Sequence, residues 1–134
     1  MMTDDAWIDM EDDGFIGLVG PIQHRPYRDD GRGYFRFVAG DKHRNRNGVV
    51  QGGMLMTFAD RGLGFTIRQN EVNLKQATVQ LDVHFIRAVP IGSTVELAAQ
   101  VVRKGGSMVF VDGVLSVEGE TVATARGVWR RFSD

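Results

Sequence analysis

Asn45-Arg46-Asn47-Gly48-Val49-Val50-Gln51-Gly52-Gly53-Met54-Leu55-Met56-Thr57-Phe58-Ala59-Asp60 runs from a polar turn, through two glycines, into a segment that is apolar on nearly every side. Met54, Leu55, Met56, Phe58, Ala59, Leu63, Phe65 and Ile67 point in too many directions around a helical axis for a surface helix. The spacing therefore predicts a central, covered helix over about residues 52–69. Met56, Asp60, Leu63 and Ile67 share one stripe of it. That places a carboxylate on an apolar face, where an isolated charge is costly and usually has a partner or a task.

Upstream of the helix, residues 1–14 form an acidic lead-in, with Asp4, Asp5, Asp9, Glu11, Asp12 and Asp13 and no base. A solvated stretch is expected there, with a short helix around Ala6–Met10 anchored by Trp7. Phe15–Ile22 reads as a strand among glycines, and Tyr34–Val38 alternates with Phe35 and Phe37 on one side. Asn70 is a plausible helix stop. Downstream come four strands: Ala77–Arg87, Thr94–Arg103, Met108–Val117 and Thr121–Arg131. In the first of these Ala77, Val79, Leu81, Val83 and Phe85 share the inward face and Thr78, Gln80, Asp82 and His84 the other. Val89–Gly92, Lys104–Ser107 and Glu118–Glu120 are short turns, so an antiparallel sheet is expected. One helix followed by four strands makes an α+β domain over 15–134, with a curved antiparallel sheet wrapped around the central helix. Its outer face or edge is a natural place for another subunit.

The composition narrows the function. A chain of 134 residues with 43% apolar and 25% charged content has the make-up of one soluble globular domain. A net charge of −1 supplies no global field toward nucleic acid or membrane, and no apolar run approaches bilayer length. The absence of cysteine excludes disulfides, thiolate nucleophiles and Cys-ligated metals. The three histidines are scattered without ligand spacing, so neither a metal nor a cofactor is expected. His43 and His84 have no Ser or Cys partner at recognisable spacing and read as surface or loop residues. Acids stand where a secretory signal carries bases, so a cytoplasmic protein is expected. The Arg25–Arg46 run lacks the interleaved aromatics of a nucleic-acid stacking platform apart from Tyr27, Tyr34, Phe35 and Phe37.

Asn45, Gly48, Gln51-Gly52-Gly53 and Asp60 resemble the signature of hotdog-fold thioesterases of the phenylacetate-pathway (PaaI-like) type. The likeness extends over roughly residues 15–131, through Thr78, Phe85, Gly92 and Lys104–Ser107. It implies a hotdog fold and a homo-oligomer, a dimer or dimer of dimers, that hydrolyses aryl- or medium-chain acyl-CoA. By this resemblance Asp60 is the general base or nucleophile, and Asn45 positions water or carbonyl. The Thr78 hydroxyl assists the acid. The family's usual His is Gln51 here, as in a related branch acting on aryl-CoA esters. A Gln cannot titrate, so position 51 orients or hydrogen-bonds.

The chemistry tests these roles. First-turn amides of the helix lie at the positive end of its dipole, and Gly52 and Gly53 leave them open to a thioester oxygen. The plainer reading of Gly52-Gly53 is a tight entry into the helix. Asp60 could instead be a structural acid paired with Arg61 or Arg68, or one capping a neighbouring loop; Arg61, the next residue, points about 100° away, which makes that pair poor. Asn45 could be an Asx-turn residue. Strict alternation puts Thr78 opposite Val79, so Thr78 must reach a partner subunit or sit at a bulge. Eight residues between Gly52 and Asp60 span about 12 Å of helix, too far for one carbonyl carbon to touch both. Two copies of the helix related by a two-fold axis would resolve this, with Asp60 of one copy facing Gly52 of the other. Met54, Met56 and Phe58 would line the acyl pocket, with Gly53 beside it. Arg103 and Lys104 are first choice for the coenzyme A phosphates. A non-catalytic acyl-CoA-binding or scaffold module remains open. A dehydratase would need a His on or just before the helix.

Overall fold

The computed structural model describes residues 6–69, 71 and 75–132. Seven strands form one antiparallel sheet: β1 (Ile8–Asp9), β2 (Gln23–His24), β3 (Arg32–Val38), β4 (Lys75–Phe85), β5 (Thr94–Lys104), β6 (Met108–Val117) and β7 (Glu120–Phe132), in the order β1-β2-β3-β5-β6-β7-β4. A short helix α1 (Phe15–Val19) precedes β2, and the long helix α2 (Gly52–Arg68) precedes β4. Asn70, the expected helix stop, lies outside the described residues.

The long helix and the last strands form where their periodicities place them. Leu55, Phe58, Ala59, Leu63 and Ile67 of α2 are buried against Phe35, Phe37, Val95, Leu97, Val111, Leu115 and Trp129 on the sheet's inner face. Two glycines set how closely they meet. A methyl group at Gly62 would overlap Leu97 Cδ2 and lie 3.1 Å from the Phe35 ring. One at Gly113 would lie 2.8 Å from both Leu63 and Leu97. The helix thus rests nearly on the backbone of the sheet.

Four expectations change. The helix is covered on one side only: Gly53 and Met56 are exposed and Thr57, Asp60, Arg61 and Arg68 partly so, leaving an open strip away from the sheet. Along the expected Met56–Asp60–Leu63–Ile67 face, cover reaches Leu63 and Ile67 but not Met56 or Asp60.

Second, β4 does not alternate throughout. Its pairing with β7 skips Val79, which is 56% exposed. Before this bulge Gln76 and Thr78 reach the helix; after it Leu81 and Val83 do. One extra residue switches the facing set from even to odd numbers.

Third, residues 86–93 do not close a hairpin. β4 lies at the sheet edge beside β7, whereas β5 lies between β3 and β6. The link crosses the N-terminal end of α2, where the Val50 amide donates to the Val89 carbonyl (2.9 Å). At eight residues it is longer than the two- to five-residue loops typical of hairpins.

Fourth, the N-terminal assignments exchange. Ile8–Asp9 is a strand rather than part of a helix, and Phe15–Val19 is a helix rather than a strand. Short apolar runs do not separate the two by pattern. Ile16 and Val19, three apart, pack on the core while Phe15 and Leu18 stay exposed, which is helical spacing. The described part of the lead-in is packed, not wholly solvated. Met10 is buried, and Trp7 lies against Arg25 and Arg36 at 4.1 and 4.5 Å.

Gly127 offers a test of the seam between β4 and β7. A methyl group there would lie 2.6 Å from the Trp129 ring and 2.8 Å from the Gln80 carbonyl oxygen, next to the bulge. Gly127→Val should lower unfolding stability by about 1–3 kcal/mol in urea, the usual scale for overpacking. An unchanged midpoint at equal slope would show that this seam is not tightly packed.

Candidate active site

The approach to α2 is shaped by the Asn45 turn. Asn45 Oδ1 accepts from the amides of Asn47 (2.9 Å) and Val49 (3.2 Å), and the Gly48 amide donates to the Asn45 carbonyl (3.1 Å). Gly48 has φ +80°, a conformation that side chains disfavour. Asn45 is therefore the Asx-turn residue of this loop, and its carbonyl oxygen is already engaged. The Gln51 amide then donates to the His43 carbonyl (2.8 Å), anchoring the residue that caps α2.

His43 is a buried structural group rather than a surface residue. The Gly40 amide can only donate, so His43 Nδ1 accepts it at 3.0 Å. Its Nε2–H then donates to the Val19 carbonyl at 2.6 Å. Both ring nitrogens are committed, and neither is offered to the site. His84 stays exposed, facing outward from the sheet with Gln80 and Asp82.

Gly52 and Gly53 open the helix. Their amides have no acceptor among the described residues, whereas the Met54 amide bonds the Gln51 carbonyl (2.9 Å). Phe85 lies over Gly52, where a methyl group would come within 3.3 Å of its ring. A small cavity of about 250 Å³ lies there, lined by Val50, Gly52, Leu55 and Phe85–Val89.

Two turns further along, Thr78 Oγ1 donates to Asp60 Oδ1 at 2.7 Å. The bulge at Val79 makes this contact possible within one chain. Asp60 is half-buried and forms no ion pair within 4 Å among the described residues, so the structural pairing with Arg68 is not formed. A second cavity of about 420 Å³ lies beside it, lined by Asp60, Arg61, Gly64, Phe65, Arg68, Lys75, Gln76, Thr78 and Trp129. Two of these side chains hold buried polar atoms with no hydrogen-bond partner among the described residues, Arg61 Nε and Gln76 Oε1. Burial, then the like charge of Arg68, push the Arg61 guanidinium below its ordinary pKa, and Asp12 and Asp60 partly restore it.

A family model for the thioesterase superfamily matches residues 47–124, more than half of the chain, and the stretch includes Gly52, Asp60 and Thr78. The chain belongs to the thioesterase superfamily. A Pseudomonas aeruginosa protein, PA0474, provisionally named an esterase, is 33% identical over 90 residues, covering 66% of this chain and 67% of that protein. A Caenorhabditis elegans protein, F42H10.6, with the same provisional name is 28% identical over 94 residues, spanning 53% of its length. Among solved structures, a conserved protein of P. aeruginosa, PA5202, superposes with TM-score 0.82 at 25% identity, covering 89% of this chain and 94% of the other. The Escherichia coli PaaI protein of the phenylacetic acid degradation operon gives TM-score 0.76 at 22% identity, covering 84% and 80%. The fold is the superfamily's hotdog fold, with one main helix against a long antiparallel sheet, and the reaction class is thioester hydrolysis.

Within this hotdog domain, Asp60 and Thr78 meet directly, and Gly52, Gly53 and Gln51 cluster at the helix start. Met54 and Phe58 turn into the core, leaving Met56 the open one of the three apolar residues expected to line a pocket. Their positions around the helix differ by more than the linear spacing suggests. Arg103 and Lys104 join neither cavity of the helix: Lys104 pairs with Glu71 (3.3 Å), and Arg103 faces the outer side of the sheet. Arg61 and Gln76 line the cavity beside Asp60 without having been singled out by the sequence, where Arg61 reads only as a poor partner for Asp60. The available signal was a second charge on a helix that otherwise reads as covered.

The same corner carries a pH-sensitive histidine. His24 stacks on Tyr27 (5.4 Å between ring centres) and lies 4.7 Å from Phe65. Burial pushes its pKa below the ordinary 6.5; the bond to the Arg25 carbonyl opposes this and the Arg61 charge adds to it. The unfolded chain therefore takes up the proton first as pH falls, and stability present above 6.5 is lost through the folded value. Melting temperature should fall below pH 6.5 more steeply in the native protein than in His24→Phe. Parallel curves for the two would contradict this.

Proposed function

We propose that the chain is an acyl-CoA thioesterase whose active centres form between two copies, each centre taking Asp60 from one and the Gly52 amide from the other. The observation that carries this reading is the Thr78–Asp60 hydrogen bond on the open strip of α2, with the unbonded Gly52 amide about 12 Å away along the same helix. Thr78 holds one carboxylate oxygen and leaves Oδ2 free for water. In the proposed reaction Asp60 acts as base on that water. The water oxygen bonds to the thioester carbon, and the partner's Gly52 amide donates to the carbonyl oxygen as negative charge develops. The C–S bond then breaks, the thiolate takes up the proton, and the products are a carboxylic acid and a free thiol. Asn45 supports the loop that aims Gly52, and Gln51 supplies a neutral hydrogen-bonding group at the mouth.

The sheet supports the pairing. β4 bonds β7 on one edge only, and its free edge and end expose Val79, Phe85 and Ile86. Such an edge invites another strand. Two β4 strands meeting about a two-fold axis would set two α2 helices side by side. The outer sheet face, with Val102, Phe110 and Val114 exposed, suits a second contact in a dimer of dimers. A carrier of the CoA type accords with the Streptococcus mutans protein solved with acetyl CoA, which shares the fold with TM-score 0.74 at 18% identity.

A screen of aryl- and medium-chain acyl-CoA thioesters for thiol release, without added metal, tests the activity. Asp60→Asn should lower kcat by about 10²–10⁴, the scale of a lost general base. Gly52→Pro removes the first-turn amide at a position where helices accept proline and should cost about 10²–10³. Gly52→Ala, which keeps the amide, controls for crowding against Phe85. Co-assembly of Asp60→Asn with Gly52→Pro subunits should recover activity, because each mixed dimer contains one intact centre. Full turnover by Asp60→Asn, or no recovery in the mixture, would overturn the mechanism. Gln51 in place of the family's His favours a non-catalytic acyl-CoA binder as the second reading. Thermal stabilisation by an acyl-CoA without thiol release would identify it.

A further inference from the structure

The cavity beside Asp60 carries more positive charge than hydrolysis of a neutral thioester requires. Arg61 and Arg68 both line it, and neither has an ion-pair partner within 4 Å among the described residues. Arg61 Nε is buried without a hydrogen bond among the described residues, and the face of Phe65, 5.8 Å from its guanidinium, offers only a weak contact. An unpaired buried donor of this kind carries the full cost of desolvation. Gln76 Oε1, the other unpaired atom, is an acceptor and suits water rather than an anion. Trp129, Phe65 and Gly64 supply the apolar remainder of the wall.

Resting on the thioesterase reading above, we propose that this cavity selects acyl groups that end in a carboxylate, with Arg61 as the specificity residue and Arg68 reinforcing it. The class is the half-thioester of a short dicarboxylic acid. A guanidinium fork matches a carboxylate bidentately. The position favours the acyl end over the carrier. Arg61 lines the same cavity as Asp60, so an anion held by it would share that cavity with the acyl group. The phosphates of coenzyme A lie beyond the whole pantetheine arm. A cavity of about 420 Å³ has room for a short acid chain. Asp12 and Asp60 act on Arg61 electrostatically, without ion-pair contact within 4 Å among the described residues.

The test compares glutaryl-CoA with pentanoyl-CoA, equal in chain length and different in terminal charge. The native protein should show the higher kcat/KM for glutaryl-CoA. In Arg61→Gln the ratio of the two values should fall about ten- to a hundred-fold, the scale of a lost charged hydrogen bond. Arg61→Lys should recover part of the ratio, and Arg68→Gln should lower it less. Hydrolysis of pentanoyl-CoA with no preference for glutaryl-CoA overturns this inference and leaves the thioesterase reading in place. Hydrolysis of neither, nor of any thioester in the wider panel, overturns both. An equal loss on both CoA thioesters in Arg61→Gln, absent with the phosphate-free N-acetylcysteamine thioesters, assigns the residue to the carrier and overturns the inference.

Discussion

Everything in this domain follows from how closely α2 lies on the sheet. Gly62 and Gly113 remove the two methyl groups that would hold the layers apart, and Leu63, Leu97 and Phe35 close the gap. Each large side chain buried there contributes about 1.5–3 kcal/mol relative to exposure. That contact uses one side of the helix. Among the described residues no layer covers the opposite side, and the groups proposed for the site lie along it. The proposed active strip is the part of a core helix that the described core does not cover.

The strip is held to the sheet by polar bonds at the edge of the apolar contact. Gln76 Nε2 donates to the Gly64 carbonyl at 2.8 Å, and Thr78 donates to Asp60. Both come from the first half of β4, where the facing side chains are polar, and they give way to Leu81 and Val83 once the strand passes the bulge. Placing the carboxylate at a rim, rather than inside, avoids the desolvation penalty of a fully buried charge. In the proposed dimer a partner helix would complete both its cover and its chemistry.

Much of this was legible before any coordinates. The period of Met54–Ile67 marks α2 because a covered helix of that length has no competing pattern, and the four alternating strands follow for the same reason. What stayed hidden depends on long-range choice. The insertion of β5 between β3 and β6 is set by which edge the 86–93 link reaches, and local spacing carries no record of that. Phe15–Val19 is too short for its period to speak. For Thr78 the strand pattern posed a conflict with Asp60, and the bulge resolves it. Arg61 makes a poor ion-pair angle with Asp60, and nothing in the spacing shows that both side chains wall one cavity.

Val79 is skipped by the pairing with β7, lies outside the packed core and is more than half exposed. Its importance lies in being counted. Substitution at this position changes a surface side chain, whereas loss of the residue would bring β4 back into strict alternation. Leu81 and Val83 could then keep their places only if Thr78 turned outward from Asp60. The Thr78–Asp60 contact on which the proposed mechanism rests is thus written into the length of the strand, and an in-frame deletion of one codon would erase it while both residues remained in the gene.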